Sequence, residues 1–313
     1  MNSLTGIVEG SILIATGILT FPCNMWAIAN YKKKRMNKEL LILIYALCGY
    51  NFLFAITTVL TGILRMLEYF PFGHLGCFFI FPFAALINNS TSLTLALISY
   101  ERRSIVTSRM TESPGRVMKI TGLLIFINIF TIFIYCFVCY YLMGYVELID
   151  YPVHGPNEPP VPICVPLFDR TGFPADAIFS LCHFVFPFSI TSYNYYHLIV
   201  HIRKHRSNNS AFEKRYKKHV FFSRLMIICL VEFVLSQIPF DFVLFIARIQ
   251  DARQHRTLNA SAYFIGYVFV CIDNIINPLW FSFASFKKRR EKIGVLSPLI
   301  LRPSSQFSPS NES

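Results

Sequence analysis

Seven long apolar runs constrain the fold of this chain more than any other feature of its sequence. A hydrocarbon core of about 30 Å requires about 20 apolar residues at helical rise. Runs of that length cover 8–31, 39–64, 75–102, 118–143, 174–203, 217–249 and 260–284. Hydrophobic residues make up 54% of the chain and charged residues only 15%, which is too apolar for a soluble domain. We therefore expect an all-α membrane protein, a bundle of seven transmembrane helices.

Lys and Arg residues predict the orientation of the helices, because cytoplasmic loops carry an excess of positive charge. Of the 29 Lys and Arg residues, 24 lie at the loops after helices one, three and five or in the tail. We therefore expect the N-terminus outside and the C-terminus in the cytoplasm. The first basic cluster, 32–35, follows the first apolar run, so that run is predicted to be a helix and not a signal peptide. The net charge of +12 then belongs to the membrane surface and does not indicate nucleic-acid binding.

Two regions divide the chain. Residues 1–293 are predicted to hold the seven helices and a short amphipathic eighth helix on anionic lipid, and residues 294–313, rich in Ser and Pro, a disordered cytoplasmic tail. Asn259 begins a glycosylation sequon in the third outer loop. Most of the cysteines lie inside apolar runs, where a thiol packs as a small hydrophobe; Cys77 and Cys164 do not.

Several motifs, in order and on the expected sides of the membrane, resemble those of rhodopsin-like (class A) G-protein-coupled receptors. Gly76-Cys77 opens helix three, and Glu101-Arg102-Arg103 closes it at the spacing of that family's disulfide cysteine and (Asp/Glu)-Arg-Tyr motif. The sequence 277–281, Asn-Pro-Leu-Trp-Phe, resembles Asn-Pro-x-x-Tyr. The resemblance implies a disulfide between Cys77 and Cys164, both on the oxidising face.

The resemblance also implies a cytoplasmic switch for a heterotrimeric G protein. A Glu–Arg pair at a helix end can hold the arginine in one state and release it toward a partner in another. A solvated cluster of interfacial charges is the alternative interpretation. The predicted switch residues are Glu101, Arg102, Met110, Tyr195, Asn277, Pro278 and Phe281.

A central polar cluster departs from the family pattern. The acid that the family carries in helix two is absent, while Asp273 lies one turn before Asn277 in helix seven, on the same face. A buried carboxylate in a membrane is costly, so we expect Asp273 to be hydrogen-bonded, protonated or ion-paired. We predict a structural or sodium-linked role, with an incidental helix-end acid as the alternative. The cluster comprises Asn24, Asn51, Thr91, Asp273 and Asn274.

The family pocket maps onto six polar or reactive side chains in an apolar cavity: Asn88, His183, Gln237, Asp241, Tyr267 and Cys271. Each of them also fits a satisfied contact between helices. Cys271 stands where opsins carry the retinal-binding lysine, and a Schiff base needs a primary amine, so we expect no covalent retinal and no other cofactor. Ala84 stands where amine receptors carry Asp, which disfavours a biogenic amine.

These observations predict a receptor for a small, chemosensory extracellular ligand, in the plasma membrane of a sensory cell. The alternatives are an opsin-type photoreceptor with atypical retinal use and a seven-helix transporter or channel. No enzyme is expected, because the HExxH, GxSxG and phosphate-binding glycine motifs are absent. The expected partners are a G protein, membrane lipid and, through tail serines, arrestin and a receptor kinase. Those serines are Ser304, Ser305, Ser308, Ser310 and Ser313.

Overall fold

Seven helices form the bundle, as the apolar runs predict. The computed structural model describes residues 4–32, 38–67, 73–107, 114–137, 146–151, 161–166, 181–204, 227–243 and 264–280. The helices in these ranges are α1 (Leu4–Lys32), α2 (Lys38–Leu67), α3 (Gly73–Thr107), α4 (Pro114–Phe137), α5 (Phe186–Lys204), α6 (227–243) and α7 (Phe264–Trp280). A π-helical turn, Leu181–Val185, leads into α5.

Several predicted features lie outside the described residues. They are the eighth helix, the tail 294–313 with its serines, Met110, Asn259, Phe281 and both ends of the predicted sixth run. The side chains of 73–82 in α3 are also outside the description, and Cys77 is among them.

Helix α3 lies at the centre of the bundle. It packs against α2, α4 and α5, and every residue from 87 to 99 is buried. Many of these side chains are polar, and three of their hydroxyls bond to the backbone of α3 itself: Thr91 donates to the Ile87 carbonyl, Ser92 to the Asn88 carbonyl and Thr94 to the Ser90 carbonyl. Because these groups are satisfied within the helix, α3 can bury them without partners on other helices.

The outer surface of the bundle is apolar. Helices α1 and α2 are long and apolar enough to cross a membrane, and the described parts of α4 and α7 are shorter apolar helices. Exposed side chains on α6 recur at helical spacing on one face: Val231, Leu235, Ile238 and Phe242. On α4 the exposed set is Ile125, Phe126, Ile129, Phe130, Ile132 and Phe133. A contiguous apolar surface of this kind requires lipid around it.

Helices α1 and α2 approach each other closely at two glycines. A Cβ atom placed on Gly62 would lie 2.7 Å from the Gly10 carbonyl oxygen, and one placed on Gly10 would lie 2.5 Å from the Gly62 carbonyl oxygen. Small residues at such crossings let helix backbones pack directly in a membrane. Next to this crossing, Arg65 of α2 forms an ion pair of 2.8 Å with the buried Glu9 of α1.

The long connection 144–173 contains a β-hairpin, which the sequence did not predict. Strand β1 (Val146–Tyr151) pairs antiparallel with β2 (Val161–Pro166), with Leu148 opposite Cys164. Strand β1 packs against α3. The hairpin therefore brings the backbone of Cys164 to the helix that carries Cys77, and the disulfide between them stays a prediction.

Candidate functional site

Asn88, His183 and Gln237 form one hydrogen-bonded group between α3, the π-helical turn and α6. The Asn88 amide nitrogen lies 2.7 Å from His183 Nε2 and 3.5 Å from Gln237 Oε1. A carboxamide NH2 has two hydrogens, so Asn88 donates to both groups when His183 carries its proton on Nδ1. All three side chains are 4% exposed or less. The structure thus joins three of the six predicted pocket residues.

The π-helical turn places His183 in this group. Pro187 has no backbone N–H, so the carbonyl of residue 183, four positions earlier, loses its normal helical donor. A wider turn over Leu181–Val185 accommodates this loss before the regular helix begins at Phe186. Such turns occur often at functional sites, because they redirect a side chain without ending the helix.

Tyr267 and Cys271 lie together on α7 and face α2. Thr58 Oγ1 is 3.5 Å from the Tyr267 hydroxyl and 3.8 Å from Cys271 Sγ. Cys271 is 2% exposed and belongs to an apolar cluster with Leu13 and Phe54. These two predicted pocket residues therefore form a second group, separate from the hydrogen bonds of Asn88. The sequence missed Thr58, although it lies seven residues after Asn51 and so on the same face of α2.

Asp241, the sixth predicted pocket residue, lies one helical turn after Gln237 on the same face of α6. Both of its carboxylate oxygens are buried, and neither has a hydrogen-bond partner within the described residues. Near it α7 approaches α6 closely, because a Cβ on Gly266 would lie 3.0 Å from Phe240 Cα.

The predicted central cluster divides into two linked parts. Asn51 Nδ2 donates to Asn24 Oδ1 at 3.1 Å, and both asparagines donate to the Asn274 carbonyl at 3.3 Å. These bonds tie α1, α2 and α7 together. Thr91 is also buried, but its hydroxyl donates to the Ile87 carbonyl of its own helix, α3.

Asp273 and Asn277 form the second part, on α7. Asn277 Nδ2 donates to Asp273 Oδ1 at 2.9 Å, and both residues are 1% exposed or less. Ser236 and Gln237 of α6 lie close to the Asp273 carboxylate. Gln237 therefore lies between the Asn88 group and the Asp273 group, and its amide nitrogen has no hydrogen-bond partner among the described residues.

The cytoplasmic end of α3 carries the predicted switch pair. Glu101 is 2% exposed and Arg102 is half-buried, and Tyr195 in α5 is buried as well. Tyr195 lines a cavity of about 20 Å³ between α3, α5 and α6, a space that fits one water molecule. Buried Asn277 and Pro278 lie on α7. The switch role of these residues stays a prediction.

Arg103 contributes a contact that the sequence did not predict. It donates to Asn194 Oδ1 at 3.3 Å, and its guanidinium lies 5.0 Å from the centre of the Tyr193 ring. Asn194 in turn donates to Ser99 at 3.1 Å. These contacts link α3 to α5. Arg103 stands where the family motif has Tyr, and this departure was the one sequence feature that could have indicated an unusual contact at this position.

Buried side-chain oxygen atoms on α2 and α7 are the candidate ligands for a metal ion at Asp273. Within the described part of the chain, no group of three or more His, Cys, Asp or Glu side chains lies together. The side-chain amide oxygens (Oδ1) of Asn51, Asn274 and Asn277 are nevertheless buried without hydrogen-bond partners in the described ranges. Oxygen atoms of this kind, with a carboxylate, are the ligands that hard cations prefer. The residues present therefore fit a sodium ion.

Comparisons with known proteins agree with this architecture. The sequence profile of the rhodopsin family of seven-transmembrane receptors matches residues 24–281. The crystal structure of squid rhodopsin has a similar fold, with a TM-score of 0.73, 18% sequence identity, and coverage of 97% of this chain and 88% of the squid chain. No curated protein matches the sequence.

Proposed function

The chain belongs to the rhodopsin family of seven-transmembrane receptors, and we propose that it transmits the binding of a small extracellular molecule to a heterotrimeric G protein. The family and fold are those of multi-pass membrane receptors and not of enzymes. We place it in the plasma membrane of a chemosensory cell. Arrestin and a receptor kinase are the further proposed partners.

The polar connection through Gln237 carries this proposal. On one side Gln237 accepts a hydrogen bond from Asn88, and on the other its side chain lies close to the Asp273 carboxylate. Asp273 bonds to Asn277 of the Asn-Pro motif at 2.9 Å. A ligand that binds to Asn88 or His183 therefore changes the surroundings of Gln237, and through Gln237 those of Asp273 and Asn277 toward the cytoplasmic half of α7. Buried polar groups of this kind change partners in discrete steps, as a two-state switch requires.

The site suits a small ligand better than a large one, because it is enclosed. The Asn88 group is fully buried between three helices, with the β-hairpin packed against α3. Covalent retinal is not part of the proposal, because Cys271 offers a thiol where a Schiff base needs an amine. Where α6 meets α7, the Phe240 and Tyr267 rings lie 6.4 Å apart and form an aromatic contact.

A sodium ion held by Asp273 would stabilise one arrangement of the helices. The carboxylate, with the amide oxygens of Asn51, Asn274 and Asn277, would supply its ligands. Its chemistry here is charge compensation, since a carboxylate in the membrane interior is costly without a partner. Asn277 then connects this site to the cytoplasmic half of α7.

The test is second-messenger output in cells that express the chain, measured in the dark, under light with added retinal, and with a panel of small molecules. Arg102→Ala serves as the inactive control, and Lys119→Ala, an exposed basic residue at the start of α4, serves as the matched charge control. We expect a response to small molecules that Arg102→Ala abolishes and Lys119→Ala retains. A response to light that depends on retinal would support the photoreceptor alternative. Ion flux without second-messenger output would support a channel or transporter.

A further inference from the structure

We infer that the ligand is a small organic cation, a protonated amine, whose charge pairs with the Asp241 carboxylate. This inference rests on the proposed receptor function and names the chemical class of its ligand. Two observations carry it: the Asp241 carboxylate and the Asn88 amide oxygen are both buried, and neither has a hydrogen-bond partner within the described residues.

The Asp241 carboxylate lacks a partner in the described structure. Both oxygens are buried and accept no hydrogen bond from any described residue, and the ion pair found among those residues is Glu9–Arg65. Buried charges in proteins are normally paired, because an unpaired one loses its hydration without compensation. A cationic ligand supplies the missing partner.

Asp241 faces the interior of the bundle. The lipid-facing ridge of α6 includes Ile238 and Phe242, while Phe233 and Gln237 lie on the buried face. Asp241 follows Gln237 by four residues and therefore lies above it on that buried face, about 6 Å further along the helix. In the predicted orientation this is the extracellular side of Gln237, from which a ligand enters.

Asn88 supplies the second point of attachment. Its amide nitrogen is used by His183 and Gln237, but its carbonyl oxygen Oδ1 is buried without a partner in the described residues. An ammonium group has only donors, and it can satisfy a carboxylate and an amide oxygen together. The two free sites are therefore both acceptors, which selects a donor-rich cation over an anion or an ether-like ligand.

This assignment differs from the expectation drawn from the sequence. On α3, Ala84 stands where amine receptors carry an Asp, and the lack of that carboxylate disfavoured an amine ligand. Asp241 provides a carboxylate on α6 instead. Coulombic attraction does not depend on which helix carries the charge, so the amine would bind closer to α6.

The test combines stability and binding, measured on the purified full chain in lipid nanodiscs. Without ligand, Asp241→Asn should raise the melting temperature, because it removes a buried unpaired charge at nearly constant shape. Asp273→Ala is the comparison variant and should lower the melting temperature, because it removes the oxygen that accepts a hydrogen bond from Asn277. A lower melting temperature for Asp241→Asn would mean that the carboxylate has a partner elsewhere in the chain and would overturn the inference.

Matched pairs of an amine and the alcohol of the same skeleton then test the ligand class: butylamine and butanol, phenethylamine and phenethyl alcohol, tyramine and tyrosol. We expect at least one amine to stabilise the wild type, its alcohol to have no effect, and Asp241→Asn to weaken that amine about 100-fold. Equal effects of amines and alcohols, or no effect of any amine, would overturn the inference. G-protein activation by uncharged molecules alone would also overturn it while leaving the receptor function intact.

Discussion

Replacing Asn88 with Ala tests the hydrogen-bonded group at the centre of the proposed ligand site. The substitution removes the donor that His183 Nε2 and Gln237 Oε1 share, at 2.7 and 3.5 Å. Leaving a buried acceptor unsatisfied costs about 1–3 kcal/mol, and the 3.5 Å bond to Gln237 lies at the weak end of that range. We therefore expect a total loss of about 2–4 kcal/mol, since the two acceptors lie on different helices and both lose their donor.

The measurement is thermal unfolding of the purified receptor in nanodiscs. For a chain of this size a loss of about 1 kcal/mol lowers the melting temperature by about 2–4 °C, so Asn88→Ala should melt about 4–16 °C below the wild type. Asn128→Ala is the matched control, because Asn128 accepts one bond from Tyr50 at 2.8 Å but is only partly buried on α4. We expect Asn128→Ala to lower the melting temperature by less than half as much as Asn88→Ala does. If Asn88→Ala melts with the wild type, the contacts of Asn88 with His183 and Gln237 do not hold the helices together.

Three further predictions concern contacts between helices. Gly62→Ala should lower the melting temperature by several degrees, because its Cβ would lie 2.7 Å from a carbonyl oxygen of α1. Gly49→Ala, on the same helix with nothing within 4 Å of the added Cβ, should raise the melting temperature slightly. Equal effects of the two substitutions would refute the close crossing. Arg65→Gln should lower the free energy of unfolding by about 1–2 kcal/mol, because it leaves the buried Glu9 carboxylate without its partner. Glu9→Gln should lower it less, because the partly exposed Arg65 can then reach water. Thermal melting that ranks the two variants in the opposite order would contradict this. Arg103→Ala should change basal G-protein activation at unchanged surface expression, because it releases the α3–α5 link at Asn194; basal activity equal to the wild type would count against that role.

Much of the fold was predictable because a membrane-spanning helix needs a long apolar run, and loop charge fixes its direction. The β-hairpin over 146–151 and 161–166 was not, because strands of six residues are too short to give a comparable signal. One helix end also differs from the prediction: α1 begins at residue 4 instead of residue 8, because the helix extends one turn beyond the apolar run that predicted it.

The candidate site was predictable only in part. Family spacing identified Asn88, His183 and Gln237, and the structure joins them by hydrogen bonds. The sequence could not divide the pocket into its two groups, because the rotation of α7 that turns Tyr267 toward Thr58 depends on packing. Likewise, no sequence pattern indicates that both oxygens of Asp241 are buried without a partner, since that depends on every neighbouring helix.

Nucleotide exchange on purified G proteins tests the central claim most directly. The full chain is reconstituted in nanodiscs with a set of Gα subtypes and Gβγ, and GTPγS uptake is measured with and without the small-molecule panel. We predict uptake above the receptor-free level on at least one subtype, lost in Arg102→Ala and kept in Lys119→Ala. Uptake equal to the receptor-free level on every subtype, from protein that melts cooperatively, would contradict the account.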